Sequence, residues 1–175
     1  MKTNLISKSE TNQILKLVSK QWKRELPKIK NLKVHFIDNN SQLISGNDLT
    51  ILKINDDYLP FLNQTEVLQK FPNVMVDMGA VKFMCNGANV MRPGIKKYTE
   101  FKKGDIVCVS EESQNKFISV GKAIMDSSEL ENVSKGEIMF FNLGGESMSV
   151  VFSNIGGKNG SDTKDWQIIP APSNF

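Results

Sequence analysis

At Pro27 the hydrophobic pattern of this chain changes period, and that change limits the folds open to it. Before it, Ile14, Leu15, Val18, Trp22 and Leu26 recur every three or four residues. They follow Ser7 and Glu10, a pair at capping-box spacing, so an amphipathic helix is predicted over about residues 8–25, ended by the proline. After it, residues 33–37 and 50–54 alternate on a period of two, with Leu43, Ile44 and a Gly46-Asn47 turn between them. This is the pattern of a small antiparallel meander, which the first helix would cover. With Val34 and Phe36 turned to that core, His35 is expected to face solvent.

Asn63 and Glu66 repeat the cap spacing ahead of a short helix through Val67, Leu68 and Phe71 that Pro72 ends. Composition shifts there, so a domain boundary is expected near Phe71. Beyond it come short strands: 74–78, 89–91, 105–109, 117–125, 137–141 and 148–152. One helical insertion is expected at Ala80–Met84 and a short helix at Ser127–Glu131. So many short strands in about eighty residues suggest a small closed or nearly closed barrel. The expected class is α+β: an N-terminal α/β domain over 1–72, a β-barrel over 73–155, and a tail over 156–175. The tail is rich in glycine and polar residues and is flexible unless Trp166, Ile168 and Ile169 dock it back on the body.

Several function classes are poorly supported. No run approaches the roughly 18 apolar residues of a membrane span, and the N-terminus lacks an apolar signal core, so a cytoplasmic protein without membrane contact is expected. Cys85 and Cys108 sit in separate apolar runs without a CxxC spacing and read as small buried hydrophobes. The single histidine rules out most catalytic triads and histidine-based metal sites, and no phosphate-binding glycine loop is present. Asp56-Asp57 and Glu111-Glu112 fall in expected turns, where acidic residues are usually solvated. No catalytic residue, metal ligand or cofactor is assigned.

The formal net charge is +3, and its distribution matters more than its size. Residues 1–70 hold eleven cationic against seven acidic side chains, and residues 71–155 nine against ten. The first helix shows Lys16, Lys20 and Lys23 on its outer face, a solvated surface or a contact for RNA or a partner. In the second domain Arg92, Lys96, Lys97, Lys102 and Lys103 crowd one short window opposed only by Glu100. The two lysines before Gly104 could also be edge protection.

That window follows the stretch from Asp77 to Ile95, DMGAVKFMCNGANVMRPGI. Asp77 is placed to cap the helix behind Gly79. Gly87-Ala88 would end that helix and leave backbone N–H groups open to a close-approaching sugar-phosphate. Pro93-Gly94 would set Arg92 and Lys96 on either side of a tight turn, where such cations neutralise phosphates. From spacing alone the glycines could equally serve only the packing of a compact barrel.

Four blocks, Asp77-Met-Gly-Ala-Val-Lys-Phe, Asn86-Gly-Ala-Asn-Val-Met-Arg-Pro-Gly-Ile, Lys103-Gly-Asp-Ile-Val and Ile118-Ser-Val-Gly-Lys-Ala, stand in an order and spacing that resembles the PUA domain of pseudouridine synthases and archaeosine transglycosylases. The resemblance covers about residues 73–153 and implies a small β-barrel that binds structured RNA. Position by position it implies RNA contact by Lys82, Gly87, Ala88, Arg92, Pro93, Gly94, Ile95, Lys96 and Lys97. The catalytic domains of those enzymes have no counterpart in this sequence.

The block from Tyr58 to Pro72, with the helix and meander before it, is similar to the N-terminal (pre-PUA) domain of stand-alone PUA proteins related to the malignant-T-cell-amplified protein and ligatin. That likeness implies a non-enzymatic RNA-binding role on the small ribosomal subunit in initiation, reinitiation or recycling. The expected ligand is a tRNA acceptor end or rRNA, and a protein with an initiation-factor-like SUI1 domain is a candidate partner. An accessory RNA-binding subunit for an RNA-modifying enzyme and a protein-interaction adaptor are the alternatives.

Overall fold

The computed structural model describes residues 2–37, 39–85 and 88–140. The expected strand at 148–152, the tail with Trp166, and Gly87 lie outside the described residues. Contacts divide the chain into two units, one ending at Leu68 and the other beginning at Gln69.

The first unit is an antiparallel five-stranded sheet with one covering helix. In chain order its elements are β1 (Lys2–Leu5), α1 (Lys8–Trp22), β2 (Lys33–Phe36), β3 (Ser41–Gly46), β4 (Leu49–Ile54), β5 (Asp57–Pro60) and α2 (Thr65–Leu68), and the strands lie in sequence order. The capping box forms as expected, with Ser7 Oγ accepting from the Glu10 amide and Glu10 accepting from the Ser7 amide. The helix stops before Pro27, at Lys23, whose left-handed backbone (φ 54°) turns the chain back along the helix. Thr11, Val18 and Trp22 form its buried stripe. Its last turn is stitched to β5: the Trp22 indole donates to the Tyr58 carbonyl at 2.8 Å, and Gln21 bonds the Tyr58 amide and the Asp56 carbonyl.

His35 departs from expectation. Phe36 is 38% exposed and does not join the core. His35 itself is half-buried, with Thr3 Oγ1 2.9 Å from Nδ1 and Ser45 Oγ 3.4 Å from Nε2. It links β1 and β3 across β2. Burial and the neighbouring Lys33 charge both push its pKa down.

The second unit contains β6 (Asn73–Val76), α3 (Met78–Cys85), β7 (Val90–Met91), a 3₁₀ turn (Arg92–Gly94), β8 (Ile95–Tyr98), β9 (Ile106–Glu111), β10 (Phe117–Ala123), a 3₁₀ helix (Ser127–Asn132) and β11 (Glu137–Phe140). Its strands are ordered β7-β11-β10-β9-β6-β8, all pairs antiparallel except β6 with β9. The edge strands β7 and β8 are joined by the Arg92–Gly94 turn alone. A flat sheet of six strands holds its edges about 24 Å apart. The four Cα steps from Met91 to Ile95 reach about 14 Å at most. The sheet must therefore curl until its edges meet at this turn, around a core that includes Val74, Val76, Phe101, Val107, Val109 and Leu130. The α+β class and the small barrel expected from the sequence are both present.

Glu111 is a second departure. It is no solvated turn residue but the buried last position of β9. Its carboxylate accepts from the Ser113 hydroxyl and from the amides of Ser113, Gln114 and Lys116, closing the turn into β10. The Ser113 hydroxyl, aided by these amides, lowers its pKa to about 2 against burial.

Both groups give stability a pH dependence of known sign. The neutral His35 is favoured in the fold, so below its ordinary value of 6.5 the unfolded chain binds the extra proton and stability falls as pH drops. Urea titrations at pH 7.5 and 5.5 should show that loss in the parent chain and a smaller one in His35→Gln. The ionised Glu111 is favoured in the fold, so its contribution is complete above its ordinary 4.5 and is lost as pH falls toward about 2. Glu111→Gln should flatten the acid limb of a stability profile over that interval.

Candidate nucleic-acid interface

A groove of about 380 Å³ lies between α3 and the Arg92–Gly94 turn. One wall is α3. Asp77 caps it, as its place before Gly79 predicts, by accepting from the Ala80 amide at 2.8 Å, and Glu112 accepts from the Met78 amide. Ala80, Val81 and Met84 pack toward the core while Phe83 stands 66% exposed. At the far end the Ala88 amide donates to the Phe83 carbonyl.

The other wall is the turn, which hydrogen bonds pin at both ends. The Arg92 amide donates to the Gly136 carbonyl, beside β11, and the Gly94 carbonyl accepts from the Asp77 amide, beyond β6. The Ile95 amide closes the turn on the Arg92 carbonyl. A Cβ on Gly94 would stand 3.0 Å from that of Ala80, so glycine permits the approach of helix and turn.

The structure sorts the nine residues singled out in the sequence. Ala88, Pro93 and Gly94 line the groove. The Ala88 amide is taken by Phe83 and the Gly94 carbonyl by Asp77, so the open N–H group expected at Ala88 is not offered. Gly87 is outside the described residues. Lys82, Lys96 and Lys97 are exposed and make no ion pair among the described residues. Lys96 and Lys97 share the solvent side because the register slips between Met75 and Val76: two steps on β8 oppose one on β6.

Arg92 and Ile95 are both tied into the fold. Arg92 is half-buried and its Nε donates to the Leu130 carbonyl at 2.9 Å. The Ile95 side chain belongs to the core. Lys102, from the same basic window, pairs with Asp126 at 3.3 Å, while the Lys103 amide donates to that carboxylate. The latter bond, foremost, lowers the Asp126 pKa.

Two residues the sequence reading passed over belong to the groove. Phe83 and Met91 line it and are exposed. Phe83 was legible in principle: it sits one turn after Gly79, flanking the stripe of Ala80, Val81 and Met84 rather than within it. Among the described lining residues only Asp77 is charged, and its carboxylate already caps α3. The groove is thus an apolar slot with an aromatic face and cations nearby in the chain, suited to a flat, unpaired base whose phosphates lie outside.

Comparison with known proteins gives a consistent likeness. The PUA domain family model matches residues 72–138. An uncharacterised protein of Methanocaldococcus jannaschii is 34% identical over 116 residues, 64% of this chain and 70% of that protein. Translation machinery-associated protein 20 of Saccharomyces cerevisiae is 28% identical over 134 residues, 65% of this chain and 74% of that protein. A hypothetical protein from Pyrococcus horikoshii, solved by crystallography, has a TM-score of 0.66 at 29% identity, covering 79% of this chain and 92% of that one.

The Arg92 bond to Leu130 makes a stability prediction. Arg92→Ala should cost about 1.5–3 kcal/mol in urea titration, the range for a hydrogen bond that involves a charged group. A loss of ligand affinity in that variant therefore needs the melt beside it, since the groove wall itself will have loosened.

Proposed function

The chain belongs to the PUA-domain proteins of the type shared by the M. jannaschii and yeast relatives, and from that premise we propose a non-enzymatic RNA-binding protein of the translation apparatus. The observation that supports it most is the groove between α3 and the Arg92–Gly94 turn, where exposed Phe83 adjoins Lys82 and the turn leads into Lys96 and Lys97. An unpaired base enters the slot against Phe83, and the three lysines neutralise backbone phosphates. Pro93 and Gly94 give the close approach, while Arg92 and Ile95 hold the wall in place.

The finer reading is that the ligand is a tRNA acceptor end or rRNA on the small ribosomal subunit. The name of the yeast relative, translation machinery-associated protein, supports this. A protein with a SUI1 domain is the proposed partner. No helix among the described residues is long and apolar enough to cross a membrane. A cytoplasmic site of action fits a ribosomal ligand.

A test follows from the separation of roles. Combined Lys82→Ala, Lys96→Ala and Lys97→Ala should leave the urea midpoint nearly unchanged. It should lower affinity for a tRNA acceptor-stem oligonucleotide and reduce the slope of log affinity against log salt by about two to three. Phe83→Ala should cost about 1–3 kcal/mol in binding with the slope preserved, the signature of lost stacking. Unchanged affinity and slope in the lysine variant would overturn the reading.

A further inference from the structure

A second groove, of about 600 Å³, lies within the first unit between α1 and the segment that runs back along it. The left-handed Lys23 starts this return, with the Arg24 amide bonded to the Ser19 carbonyl, and it ends where the Leu32 amide donates to Thr11 Oγ1. The helix contributes Lys8, Asn12, Leu15, Lys16 and Ser19, a stripe beside the buried one, and the return segment contributes residues 25–30.

The chemistry of this groove differs from that of the first. Its floor is aliphatic, from Leu15, Leu26, Pro27 and Ile29, and among the described lining residues its rim carries Lys8, Lys16, Lys28 and Lys30 against Glu25 alone. The four lysines are exposed and none is ion-paired among the described residues. No aromatic ring is among the described lining residues, which therefore offer no stacking platform of the kind single-stranded nucleic acid uses. The stripe from Lys8 to Ser19 runs about 16 Å, the length of three helical turns.

We infer that this groove docks an acidic amphipathic helix of a partner protein, its leucine-type face on the aliphatic floor and its carboxylates among the four lysines. Helix-in-groove recognition needs an apolar slot of a few turns, and the lysine rim supplies charge complementarity that selects an acidic ligand. The RNA groove of the second unit is not involved, so the two readings stand or fall separately.

The test uses the full chain and a fluorescein-labelled helical peptide of about twelve residues with leucines at i, i+3, i+4 and i+7 and glutamates between them. Anisotropy should report binding, and amide shifts should cluster in residues 8–30. Lys16→Glu with Lys28→Glu should weaken binding by about tenfold or more, since two attractive pairs become repulsive. Leu26→Asn should weaken it with every lysine intact. Lys116→Glu with Lys135→Glu, the same charge change on exposed positions of the second unit, should leave it unaltered. The proposal is overturned if the groove variants bind as the parent does, if the shifts fall elsewhere, or if an oligouridylate occupies residues 8–30 more tightly than the peptide.

Discussion

Three residues, Arg92, Pro93 and Gly94, join strands at opposite edges of a six-stranded sheet, and the second unit is built on that short tether. A sheet free to lie flat would need a longer link, so the tether enforces the curl and brings the two edge strands together at the turn. Hydrogen bonds then fix the tether to both sides, at Gly136 and at Asp77, and the Arg92 side chain adds a third anchor at Leu130.

The same tether is a wall of the groove, which ties the proposed ligand recognition to the curl of the sheet. Because hydrogen bonds hold both of its ends, the turn is a rigid surface, and on the proposed reading specificity falls to shape, to Phe83 and to the lysines around it. Such a wall is preorganised: little conformational freedom remains to be lost when a ligand arrives. Glu111, beside Val76 in the sheet, acts in the same manner, holding the turn into β10 with a carboxylate whose pKa is lowered to about 2.

The elements governed by local rules were legible in the sequence. Ser7 with Glu10 and Asp77 before Gly79 mark helix starts that the structure confirms, and the period-two segments after Pro27 are strands. What was missed depends on distant partners. Lys2–Leu5 reads as a polar start because β1 is an edge strand held by pairing with β2 more than by burial; its Leu5 is exposed. Ile95–Tyr98 does not alternate because a bulge sets Lys96 and Lys97 side by side. Arg92 looks like a free cation until the fold brings it the carbonyl of a residue 38 positions away. Glu111 looks solvated for the same reason in reverse: its ligands are local, but its burial comes from the sheet.

The strand order also dictates a sequence of assembly. Among the described residues β7 pairs with β11 alone, whereas β6, β8, β9 and β10 pair among themselves without it. A chain emerging N-terminus first can therefore build most of this sheet while β7 is still unpartnered, its contacts being the most distant in sequence and the costliest in loop closure. Only when residues 137–140 arrive can β7 pair and the tether behind it lock, so among the described strands the wall of the groove is set late.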